Sequence, residues 1–284
     1  MAQALNKRIE RLPSLPTVLS SLFAALDDEA TSTQDIEQIL EQDQSTTSKL
    51  LSVANSAYYG LRHQVTSISR AVMVLGLDEV RAICLGTVLA TMIPPHRFAD
   101  EESARHLWKH SLAVQMAAKL LAGKSGAVRK SVALTVGLLH DLGWVVLMAY
   151  RPELWAQLRQ DMDQDGLTLE QAEARLGFSH QEAGVALAKQ WDLPPLLTQV
   201  MGRHHQPEVT LPYATEIAMV HLADLMAGTL GHGPWARSQI AGYPQWLLGL
   251  LGLERGHVDA CQQQLAAIAA ELESLWSALI DGQA

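Results

Sequence analysis

Apolar residues recur at three- and four-residue spacings through most of this chain, and the runs end at proline, glycine or a capping residue, the pattern of amphipathic helices. Strict apolar and polar alternation bounded by turn dipeptides, the mark of half-buried strands and hairpins, is missing, with Asp165-Gly166 the one hairpin-type dipeptide between two periodic runs. The pattern predicts an all-α fold. Short helices are expected over 15–26, 33–41, 45–57, 67–75 and 78–93, where Pro94-Pro95 stops the run. Beyond it, helices are expected over 102–122, 127–139 and 142–150. Pro152 suits the first turn of the next helix, where a missing N–H costs nothing. Thr168 with Gln171, and Ser179 with Glu182, have capping-box spacing, which puts His180 in the first turn of its helix. Pro194-Pro195 opens a helix that ends at His204-His205, 213–228 carries Asp224, and 258–280 reads as one amphipathic helix.

The break over 94–100 divides an N-terminal helical subdomain, 1–97, from a second, 98–284. At 284 residues and 48% hydrophobic content the chain builds a sizeable core without staples. Its two cysteines, Cys84 and Cys261, lie far apart in apolar helical patterns and read as buried thiols in a reducing compartment. A net charge of -9 with no Lys/Arg block argues against nucleic acid or an anionic membrane as partner. The N-terminus lacks the apolar core of a signal peptide, and the most apolar window, 131–150, holds His140-Asp141 at its centre; a cytoplasmic protein is expected.

That dyad is the first sign of chemistry. Burying a carboxylate without compensation costs several kcal/mol, so Asp141 needs a cation, a hydrogen-bond network or a water-filled cavity beside it. His110 upstream, and His180, His204, His205 and Asp224 downstream, complete an ordered series H, HD, H, HH, D. Neutral imidazole and carboxylate suit Zn, Fe, Mn or Co, and so many donors could hold one ion or two bridged by Asp141. An isolated histidine is more often a hydrogen-bonded structural or surface residue than a ligand. His63, His96, His106, His221, His232 and His257 are assigned to that class. Because adjacent residues do not share a helix face, one of His204 and His205 is expected at the surface. No phosphate-binding glycine loop, serine nucleophile elbow or CxxC pair competes with this set.

The sequence also resembles the HDOD family, the HD-related output domains of bacterial signalling proteins. In the first half the resemblance rests on Leu12-Pro13-Ser14-Leu15-Pro16, on the run from Leu50 through Asn55, Tyr58 and Tyr59 to Gly60, on Ile68-Ser69-Arg70-Ala71 and on Leu75-Gly76. In the second it rests on Trp108-Lys109-His110-Ser111, Gly137 to Gly143, Trp191-Asp192-Leu193-Pro194 and His204-His205. It implies a helical bundle distantly related to HD phosphohydrolases and a role as a response-regulator output or regulatory module. From the wider HD superfamily it carries the metal-binding H, HD, D signature onto His110, His140, Asp141 and Asp224. It carries the additional histidines of two-metal members such as the HD-GYP phosphodiesterases onto His180, His204 and His205. Three departures stand out. Trp144 occupies the place of a lysine that HD-GYP enzymes have after the dyad, Gly242-Tyr243-Pro244 spells GYP in the wrong place, and Asp43-Gln44 replaces the usual Asp-Pro.

The leading expectation is a signalling module that acts through a protein partner and retains an HD-type divalent-metal centre. The alternative is a metal-dependent phosphohydrolase acting on a nucleotide or cyclic dinucleotide, with Asp141 as its bridging catalytic residue. Lys109 is then the nearest phosphate contact, although a solvated surface lysine is its commoner role. A purely structural scaffold leaves the buried dyad without a reason.

Overall fold

The computed structural model describes residues 15, 17–27, 32–41, 44–231 and 243–280, and its regular elements among them are all helical. They are α1 (Thr17–Asp27), α2 (Thr33–Glu41), α3 (Gln44–Ala54), α4 (Ile68–Leu75), α5 (Leu77–Met92), α6 (Glu101–Ser125), α7 (Lys130–Leu139), α8 (Gly143–Tyr150), α9 (Pro152–Asp163), α10 (Leu169–Leu176), α11 (His180–Gln190), α12 (Pro195–Arg203), α13 (Ala214–Gly228), α14 (Gln245–Leu250), α15 (Arg255–Ala267) and α16 (Ala269–Ile280), with a 3₁₀ turn at Pro95–Arg97. His232, Gly242, Asp43 and all of the first motif except Leu15 lie outside the described residues.

Local chemistry explains several boundaries. After α3 the chain loops back because the Asn55 side-chain amide donates to the Val65 carbonyl (2.8 Å) and accepts from the Val65 N–H (2.7 Å). Ser67 caps α4 by accepting from Arg70 N–H, and Asp100 caps α6 by accepting from Ser103 N–H at 3.0 Å. Both capping boxes form, at Thr168 with Gln171 and at Ser179 with Glu182, so α11 begins at His180 as its sequence requires. The predicted single helix over 258–280 is instead two, α15 and α16, which part at Ile268 (φ -97°, ψ 10°). That break lets Leu272, Leu275, Trp276 and Leu279 turn back and pack with α3, α5 and α6. α14 is a short helix that the apolar period did not predict.

The 25-residue α6 is the spine, packed along its length against α7, α13, α15 and α16. α7 approaches it through Gly137, where a β-carbon would lie 2.8 Å from Gln115 Cα. One continuous apolar core runs from Leu19 to Leu279. The 130–150 segment has the length and apolarity to cross a membrane, yet 94% of its tested window is buried inside the fold, and it is broken at the dyad into α7 and α8. Cys84 and Cys261 are buried free thiols, and burial pushes both up from the usual thiol range.

Candidate metal centre

Five stretches of chain bring seven predicted side chains to one place. His110 comes from the middle of α6, and His140 and Asp141 from the turn between α7 and α8. His180 is the first residue of α11, Asp224 lies on α13, and His204 and His205 follow the end of α12. The expectation that one of His204 and His205 would be surface is corrected. Both have left the helix, so the rule that adjacent residues cannot share a helix face does not apply. His204 is fully buried, and the side chain of His205 is 16% exposed.

Asp141, 1% exposed, is the hub. Its Oδ1 faces Nε2 of His204 at 3.3 Å and of His180 at 3.5 Å. Its Oδ2 faces Nε2 of His140 at 3.3 Å and of His110 at 3.7 Å. Asp224 spans the two sides, with Oδ1 at 3.0 Å from His110 Nε2 and Oδ2 at 3.5 Å from His205 Nδ1. Two donor groups result, Asp141 with His180, His204 and His205, and Asp141 with His110 and His140; within each, the donor atoms lie within 4.8 Å of one another. Among the described residues His63, His96, His106, His221 and His257 join neither group.

The outer ring nitrogens show what this arrangement suits. His140 Nδ1 donates to the Gly137 carbonyl at 2.8 Å, and His204 Nδ1 lies 3.1 Å from the Val200 carbonyl and 3.2 Å from that of Met201. Glu173, a residue the sequence did not single out, accepts from the backbone N–H of His180 (2.7 Å) and from its Nδ1 (2.6 Å) with the same oxygen. A neutral ring that donates through Nδ1 has a lone pair on Nε2. These lone pairs converge on one another, His180 Nε2 being 3.3 Å from His204 Nε2, and on a carboxylate that carries only lone pairs. Such a set is repulsive until a proton or a cation lies within it. His140 Nε2, Asp141 Oδ1 and His205 Nε2 are buried and make no hydrogen bond. Imidazole nitrogens braced from behind and a shared carboxylate fit a borderline divalent ion such as Zn, Fe, Mn or Co.

Electrostatics point the same way. Burial pushes Asp141 up, but the nearby charge of His140, with His204 and His180 beside it, outweighs it and holds the carboxyl well below the usual range. Burial likewise opposes Asp224, and the His110 hydrogen bond and charge more than reverse it. Burial pulls His204 down, yet Asp141 overcomes this and raises it, whereas burial, with His204 beside it, drives His205 well down.

Around the centre, Trp144 is fully buried and stacks on His180, with ring centroids 4.4 Å apart and planes 11° from parallel. Trp155 packs edge-on against Trp144. Lys109 reaches Glu273 of α16 at 2.7 Å, which commits it to an ion pair away from the donors. His221 holds the His204 carbonyl at 2.8 Å, the structural kind of role its class implied. A groove of about 840 Å³ between α10, α11 and α12 reaches the cluster at Glu173 and His205.

The HDOD domain family model matches residues 12–207. The chain belongs to the HDOD family. A solved HDOD domain protein of unknown function from Geobacter sulfurreducens is 27% identical, covers 98% of this chain and 96% of its own, and superposes with a TM-score of 0.82. A candidate signal transduction protein from Marinobacter aquaeolei VT8 shares the fold at 20% identity and a TM-score of 0.81, with 98% of this chain and 64% of that one covered. An uncharacterized protein of Treponema pallidum (strain Nichols) is 25% identical over 282 residues, 98% of this HDOD chain and 52% of the relative. The chain thus spans about half the length of the curated relative it matches.

Proposed function

We propose that this HDOD chain is a cytoplasmic signalling module that works through contact with a protein partner and carries a divalent-metal centre built on Asp141. The observation that carries the reading is α6, which serves two masters. His110, on its first half, faces Asp141 and Asp224. Further along, α6 is gripped by the N-terminal helices. The Tyr58 hydroxyl meets Met116 Sδ at 2.6 Å, and buried Glu79 of α5 takes Lys119 Nζ at 2.5 Å and the Tyr59 hydroxyl at 3.0 Å. A partner that shifts the N-terminal helices therefore acts on the helix that positions a donor. The HDOD family membership and the signalling description of the Marinobacter relative support this role.

The phosphohydrolase alternative draws on one specific observation, that each oxygen of Asp141 faces a separate histidine group. Asp141 with the two histidine groups would hold two divalent ions, which would supply Lewis acidity and an activated water. This chain's residues favour it less. The donors other than His205 are buried, and Lys109 is spent on Glu273. The deciding experiment incubates metal-loaded protein with nucleotides, cyclic dinucleotides and a chromogenic phosphodiester. The signalling reading expects no turnover above the Asp141→Ala variant. Turnover that this variant abolishes would replace it with the enzymatic one.

A further inference from the structure

His180 is braced by two groups that are not donors themselves. Glu173 fixes the ring from behind through Nδ1 and fixes its backbone through the same oxygen, so the first turn of α11 and the imidazole move as one unit. Trp144 covers one face of the ring at 4.4 Å, and is itself fully buried with Trp155 packed edge-on against it. Among the outer partners recorded for His140, His180 and His204, only that of His180 is a carboxylate, the others being backbone carbonyls. A carboxylate partner raises the basicity of a ligating imidazole and locks its tautomer.

We propose that Glu173 and Trp144 are positioning residues that preset His180 as a metal ligand, so that the position formed by Asp141, His180, His204 and His205 fills before the one formed by Asp141, His110 and His140. This rests on the metal-centre reading. It also separates the two donor groups by their supporting shells. The first offers four donors, one braced by an anion, and the second three. Glu173 and His205 both line the groove, so the brace lies beside the donor that borders it.

The test uses the full chain stripped of metal, with Co²⁺ as the probe and its visible absorption as the readout. Glu173→Ala and Trp144→Ala are expected to weaken binding of the first Co²⁺ by about 10- to 100-fold. Glu173→Gln, which keeps an acceptor for both N–H groups but not the charge, is expected to recover only part of that loss, and Trp144→Phe, which keeps a stacking face, most of it. A second readout needs no metal. Nitrogen-15 spectra of the histidine rings should show His180 protonated on Nδ1 in the parent chain, and a mixture of tautomers in Glu173→Ala while the His140 ring is unchanged. First-ion affinity equal to the parent's in both alanine variants overturns the inference and leaves the metal centre standing. If the parent takes up no Co²⁺, the metal-centre reading falls and the order of filling with it, and the tautomer spectra still decide whether Glu173 positions His180.

Discussion

The backbone of Gly143 lies so close to the carbonyl of His180 that a β-carbon at position 143 would sit 1.9 Å from that oxygen. α8 can start beside α11 only because residue 143 has no side chain, and this contact places the Asp141 turn against His180. Gly143→Ala must push the two helices apart. Overpacking of this kind costs roughly 1–3 kcal/mol. Urea unfolding should show at least that loss, with weaker metal uptake in whatever remains folded.

Ligand binding to the native state alone raises stability by mass action. An ion at about 100 times its dissociation constant adds roughly 2.7 kcal/mol. Thermal unfolding should therefore shift upward on adding Zn²⁺, Mn²⁺ or Co²⁺ to stripped protein, and fall back with a chelator. The shift should be absent in Asp141→Ala.

The grip of the N-terminal helices on α6 makes a separate prediction. Glu79 is buried, and removing Lys119 leaves its carboxylate with the Tyr59 hydroxyl alone among its recorded side-chain partners. A buried group deprived of a partner costs about 1–3 kcal/mol. Lys119→Met should lose stability in that range by denaturant unfolding. If the coupling runs through α6, it should also change metal affinity, although Lys119 lies outside both donor groups.

Asp100 gives a pH dependence. Burial opposes its ionisation, but hydrogen bonds from Ser103 and the Trp155 indole, with the charge of Arg159, prevail and lower its pKa. A carboxyl lowered on folding adds stability that is fully present above its unfolded pKa of about 4 and is lost as pH falls through the folded value. Asp100→Ala should cost about 0.5–2 kcal/mol at neutral pH, as removal of a helix cap does. The gap between variant and parent should narrow below about pH 4, measured by unfolding across pH.

Much of this was legible in the chain. The capping boxes at Thr168 and Ser179 and the prolines at 152 and 195 marked helix starts that the structure has, because each acts within one turn of backbone. The His140-Asp141 dyad stood out because a carboxylate inside an apolar run is costly without a partner, and the other five candidates because they complete an ordered series that the family resemblance also marks. Glu173 was not legible, since the two residues lie on different helices and meet only because the left-handed turn at Gly177 (φ 65°) folds α10 back on His180. The break at Ile268 was hidden for the opposite reason. The apolar period continues through it, and no glycine or proline marks the site.

The central claim is that Asp141 and the histidines around it hold a metal ion. Elemental analysis of the purified chain beside Asp141→Ala, with circular dichroism to show that both are folded, tests it most directly. Near-stoichiometric Fe, Mn, Zn or Co in the parent, lost in the variant, is the result expected. No metal in the parent, even after reloading with each of these ions, would contradict it.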